Sequence, residues 1–147
     1  MSTPLALPLT WAPRRNRAVL LTLCAVMVVL FTVLAFALPE NWQLRDRVMM
    51  VASGLLFAAV GLMLARPKVV ADADGLTVVN FVRSRRLSWA EVVRVNLKQG
   101  DPWVMLDLAD GTALAAVGIQ PAGGREQAVT AARTLRDLVE EHAAARS

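Results

Sequence analysis

Two long runs without a single charge dominate the first half of the chain, and short alternating runs replace them in the second half. Ala18–Leu38 and Val48–Ala65 are uncharged throughout. As helices they reach about 31 Å and about 27 Å, against a hydrocarbon core of roughly 30 Å. The polar stretch 39–47, with Trp42 suited to headgroup depth, separates them. The pattern predicts a transmembrane helical hairpin over residues 18–65, preceded by a tail of residues 1–17. A cleaved leader is the alternative for the first run, since Ala35-Phe36-Ala37 resembles a small-x-small site behind a basic segment. The run is longer than a leader's apolar core and a second one follows at once, which favours a retained helix.

Pro67 stops helical geometry and the period changes. Asp74-Gly75, Arg83–Arg85, Gly100-Asp101-Pro102 and Asp110-Gly111 punctuate β-rich runs, predicting about six short strands between Lys68 and Val117. In "WVMLDLADG", Val104, Leu106 and Leu108 alternate with Trp103, Met105 and Asp107; in "VVRVNLK", Val93, Val95 and Leu97 form the expected inner face. Such one-sided alternation marks an antiparallel sheet with one wet face. The last segment, about 124–144, has no glycine or proline after its start. It predicts a helix with Val129, Ala132, Leu135, Leu138 and Val139 on the buried stripe. The fold class is therefore an α+β membrane protein: a two-helix hairpin, then a small antiparallel sandwich or barrel over 66–147, capped by a C-terminal helix.

Composition agrees. Hydrophobic residues make up 56% and the mean hydropathy is +0.47, which is high for a small soluble domain. The net charge of +4 allows anionic partners. Much of that charge flanks the apolar runs, at Arg14, Arg15, Arg17, Arg66 and Lys68. By the positive-inside rule both termini are expected in the cytoplasm, at the inner membrane, with the 66–147 domain close against the bilayer. Gly54 with Ala58 and Gly61 with Ala65 are small-residue pairs that permit close helix contact, either with the first span or with a second copy.

Candidate chemistry is sparse. Cys24 alone supports neither a disulfide nor a cysteine-ligated metal. His142 is the only histidine and has no nucleophile near it in sequence; "GIQPAGG" lacks the lysine and hydroxyl residue of a phosphate loop. No enzyme and no cofactor are expected. The basic cluster Arg83, Arg85 and Arg86, read as the tip of a hairpin, is a candidate contact for anionic lipid or a partner. The competing reading is a solvated turn. The cluster is too short, with too few aromatics interleaved, for nucleic acid. Trp89 is expected in the core, whereas Trp103 is either a contact residue or part of the sheet.

Asp74-Gly75-Leu76, Leu87-Ser88-Trp89 with Glu91-Val92, Gly100-Asp101-Pro102-Trp103 and Leu108-Ala109-Asp110-Gly111 occur in this order after two apolar runs. Together they resemble a bacterial pleckstrin-homology-like family of small actinobacterial membrane proteins. The resemblance implies a bent antiparallel sheet closed by the C-terminal helix, and supplies architecture more than mechanism. The expected function is a non-catalytic interaction module for a protein partner at the membrane, with recognition of an anionic lipid headgroup by Arg83, Arg85 and Arg86 as the alternative. In pleckstrin-homology domains elsewhere, the first strand-to-strand loop is often basic and holds phosphoinositides. Here that turn, Ala73-Asp74-Gly75, is acidic.

Overall fold

The computed structural model describes residues 5–147. The chain divides into two compact units: Arg15–Arg66, and the residues up to Arg14 together with Pro67–Ser147.

The first unit is a helical hairpin of α1 (Arg14–Ala37) and α2 (Leu44–Leu64). Both helices are long and apolar enough to cross a membrane. Large apolar side chains stand exposed along them, among them Phe36, Leu56 and Val29. Their few polar groups are satisfied within the helices: the hydroxyls of Thr22, Thr32 and Ser53 donate to the carbonyls of Ala18, Val28 and Met49 at 2.7–2.8 Å. This is the arrangement a spanning helix needs where no water is available.

The helices meet at the small residues of α2. A Cβ at Gly61 would fall 2.1 Å from Cys24 Sγ, and one at Gly54 would fall 2.8 Å from Phe31 Cβ. Of the two contacts the sequence leaves open for these glycines, the structure uses the one with the first helix. Gly54 and Gly61, like Cys24 and Phe31, are one heptad apart, the repeat of helices packed at a shallow angle. At the connection, Arg47 spreads its guanidinium over the end of α1. It donates to the carbonyls of Ala35 at 3.0 Å and Leu38 at 2.9 Å, with Pro39 at 3.2 Å. Those are the orphan acceptors of a helix C-terminus, and a cation there is favoured by the helix dipole. α2 opens on a capping box between Gln43 and Asp46.

Among the described residues, the second unit holds seven strands and one α-helix. β1 (Leu9–Trp11), β2 (Lys68–Ala71), β3 (Gly75–Val79) and β4 (Ser84–Ser88) form one antiparallel sheet in that order. β5 (Val92–Asn96), β6 (Val104–Leu108) and β7 (Ala113–Ala116) form the other. The strands from β2 to β7 are the six expected. β1 is not expected from the sequence, which leaves Leu9–Trp11 within the N-terminal tail. Leu9 pairs with Ala71, Thr10 with Val70 and Trp11 with Val69. The sheet is thus completed by residues that precede α1.

Leu76, Val78, Leu87, Val95, Val104 and Leu106 build the core from both sheets. Leu7, Leu9 and Trp11 pack on it from the β1 side. α3 (Arg125–Ala144) closes the sandwich with Ala128, Ala131, Ala132, Leu135, Leu138 and Val139. Val129, expected on this stripe, is exposed instead, and Ala128 with Ala131 take the tight positions against the sheets. In β5 the expected inner face is corrected in the same way. A register shift between Val92 and Arg94 turns Val92 inward and leaves Val93 60% exposed, while Val95 remains inside. A bulge adds one residue to a strand and so reverses the faces on one side of it.

One corner joins the two sheets. Asn80 Nδ2–H donates to the Ala115 carbonyl at 2.7 Å, and Asn80 Oδ1 accepts from the Val117 amide at 3.2 Å. Gly118 passes so close to β2 that a Cβ would lie 2.6 Å from Lys68 Cα. The Val104 amide donates to the Ile119 carbonyl at 3.1 Å.

Candidate functional site

The basic cluster does not form a tip. The turn between β3 and β4 comprises Asn80–Arg83, closed by the Asn80 amide donating to the Arg83 carbonyl at 2.8 Å. Arg85 and Arg86 already lie in β4, where alternation sends them to opposite faces. Each finds an acid. Arg86 lies beside Thr77 in register and pairs Asp72 in bidentate fashion, Nη1 to Oδ2 at 2.9 Å and Nη2 to Oδ1 at 3.0 Å. Arg85 lies 3.9 Å from Asp110. Arg83 remains exposed at the turn, next to Val82, which is 71% exposed.

Asp72 also organises the acidic turn that departs from the phosphoinositide pattern. Its Oδ1 accepts from the amides of Asp74 and Gly75 at 2.9 and 3.0 Å. The hydrogen bond from Arg86, with these amides, holds its carboxyl below the usual carboxylate range. Glu91 is lowered by the Ser88 amide and hydroxyl, and Asp110 by the Thr112 hydroxyl and amide. All three carboxyls are lowered in the folded chain. Their contribution is therefore present above the ordinary range and is lost as pH falls through the depressed values. Thermal unfolding followed by near-ultraviolet circular dichroism is expected to show Tm steady above about pH 5 and falling below it. In Asp72→Asn, Tm starts lower and the acid limb is shallower.

Trp89 sits behind this turn, 4% exposed. Its Nε1–H donates to the Asp72 carbonyl at 3.1 Å, and its ring stacks on His142 at 4.4 Å between centroids. His142 Nδ1 lies 2.7 Å from the Leu138 carbonyl. A carbonyl only accepts, so Nδ1 carries the proton. The single histidine is thus a packing residue that fastens the end of α3 to the sheet, which its position among alanines does not reveal.

Trp103 is half-buried and directly precedes β6, on a different sheet from the arginines. Val104 pairs with Ala116, so Trp103 enters at the corner that Asn80 clamps. A shallow groove of about 380 Å³ runs between β5 and α3. It is lined by Val93, Arg94, Asn96, Arg136, Val139 and Glu140. Arg136 donates to the Val95 carbonyl at 3.0 Å across it. The sequence gives no sign of this groove, because its exposed Val93 depends on the bulge.

Two antiparallel sheets of four and three strands, closed by one C-terminal helix, define a pleckstrin-homology-like sandwich. Residues 66–138 match the family model described as Bacterial PH domain. β1 precedes the matched region. The chain is also 37% identical over 98 residues to uncharacterized proteins of Mycobacterium bovis and Mycobacterium tuberculosis. That alignment covers 67% of this chain and 63% of theirs, so it spans less than two thirds of the relatives' length. No solved structure matches the chain significantly. PH domains are in general binding modules rather than catalysts.

Proposed function

We propose that this is a two-span inner-membrane protein that holds its PH-like domain at the cytoplasmic face and uses it to recruit a protein partner. The observation that carries the membrane part is the β1–β2 pairing. β1 precedes α1 and β2 follows α2, so a hairpin that crosses the bilayer twice returns the chain to the side on which β1 waits. The exposed apolar belts of α1 and α2 support burial in lipid rather than in a protein core. The positive-inside bias of Arg14, Arg15, Arg17, Arg66 and Lys68 supports the cytoplasmic side.

The alternative, recognition of an anionic headgroup by Arg83, Arg85 and Arg86 together, is less favoured by the pairs that Arg86 and Arg85 make with Asp72 and Asp110. A headgroup would have to displace both acids. A protein partner makes no such demand, and the groove between β5 and α3 offers exposed apolar and charged groups on a folded scaffold.

A photo-crosslinker in place of Val93, in the full chain in cells, is expected to capture one dominant protein. The yield should fall when Arg94 and Glu140 are both replaced by alanine. Recovery of lipid and copies of the chain alone overturns the partner reading. In the same cells, with Cys24 replaced by alanine, a cysteine at Asn41 should label from outside and one at Gln120 should not. The reverse pattern overturns the orientation.

A further inference from the structure

We infer that the Asn80–Arg83 turn is a membrane-contacting tip, with Val82 set among the lipid headgroups and Arg83 and Lys68 on the phosphates of an anionic leaflet. The inference rests on the two-span reading and adds a contact that none of the arginine pairs supplies.

The argument begins with register. Trp11, the last residue of β1, pairs with Val69, and Lys68, the first of β2, pairs with Val79. Val79 pairs in turn with Ser84. One end of the four-stranded sheet therefore collects the exit of β1, the entry of β2 and the Asn80–Arg83 turn. Ala12 and Pro13 alone separate β1 from α1, and Ala65–Pro67 alone separate α2 from β2. At about 3.3–3.6 Å per residue neither connection exceeds roughly 15 Å. Strands stand about 4.8 Å apart, so the turn lies within about 10 Å of Lys68 across the sheet. Chain length thus binds this end of the sheet to the level at which the helices leave the bilayer.

Side-chain chemistry agrees with that location. Val82 is a large apolar residue held 71% exposed at a turn, where polar residues are the rule. Arg83 and Lys68 beside it are exposed as well. An apolar residue flanked by cations suits the headgroup zone, with the valine in the acyl boundary and the cations on phosphate. Asn80 braces the turn through its bonds to Ala115 and Val117, so the tip is stiff and its contact fixes the tilt of the whole domain. Arg85 and Arg86 take no part.

The test uses the full chain with Cys24→Ala, in nanodiscs of phosphatidylcholine with or without phosphatidylglycerol. An environment-sensitive fluorophore is placed on Val82→Cys, Val93→Cys or Val29→Cys, and quenching by aqueous acrylamide is measured. The Val29 probe should be shielded in both bilayers and the Val93 probe in neither. The Val82 probe should show blue-shifted emission and several-fold weaker quenching than the Val93 probe when phosphatidylglycerol is present. Arg83→Glu should abolish that shielding and leave the Val29 probe unchanged. A Val82 probe quenched as strongly as Val93, with Val29 shielded, overturns the tip and spares the two-span reading. A Val29 probe open to quencher overturns the two-span reading itself, and shielding that survives Arg83→Glu overturns the assignment to anionic lipid.

Discussion

Deleting residues 5–12 is expected to cost most of the stability of the PH-like domain while leaving the helical hairpin folded. The deletion strips β2 of its ladder partner and uncovers the core where Leu7, Leu9 and Trp11 pack. Fully burying one large apolar side chain is worth about 1.5–3 kcal/mol, and these three are partly buried. With the lost ladder, a loss of about 3–5 kcal/mol falls on a domain whose total is on the order of 5–15 kcal/mol. Trypsin digestion of the full chain in nanodiscs should cut the deleted form within 67–147 under conditions that leave the native chain intact. A second variant separates strand loss from other effects of truncation. On the two-span reading, removing α1 alone would leave one span and put β1 and β2 on opposite sides of the bilayer, and should give the same digestion pattern although β1 is present. Resistance to trypsin in both variants would mean that β1 contributes little.

Trp89→Ala is expected to have a comparable effect from the other end of the domain. Removing a buried tryptophan costs about 3–5 kcal/mol. Here it also takes away the donor to the Asp72 carbonyl and the surface on which His142 stacks. For a domain of this size the loss corresponds to a Tm drop of more than about 12 °C. Trp89→Phe keeps most of the packing and loses the indole donor, so its cost should be about 1–2 kcal/mol. His142→Ala should cost less than either, because the imidazole is half-buried and packs at a helix end. If Trp89→Phe proved as damaging as Trp89→Ala, the hydrogen bond to Asp72 rather than the packing would dominate.

These two residues show what the sequence makes legible and what it hides. Trp89 is readable as core because it follows Leu87 at the end of a β-rich run, and the alternation of Val104, Leu106 and Leu108 is borne out by their burial. Charge-free length shows both long helices, and helix-forming composition shows α3. Each of these signals is local. The misses are all long-range or turn on a single inserted residue. Leu9–Trp11 looks like a tail because its partner lies beyond the whole hairpin. Arg86 looks like a free cation because Asp72 is 14 residues away and is met only once β3 and β4 pair. Strict alternation puts Val93 on the inner face because it cannot see the bulge. The candidate site suffers most from this. Of its four residues, Arg85 and Arg86 meet acids held in other turns, while Arg83 lies in the turn before β4 and Trp103 directly precedes β6. None of these relations has a signature in sequence spacing.

The placement of β1 has a further consequence for biosynthesis. On the two-span reading, Leu9–Trp11 leaves the ribosome well before its mate and stays unpaired until two hydrophobic segments have entered the bilayer and Lys68–Ala71 has followed. A failed insertion strands that segment in the wrong compartment, and the product presents an unclosed sheet edge to proteases. On that reading, closure of the four-stranded sheet would report that both helices had been inserted.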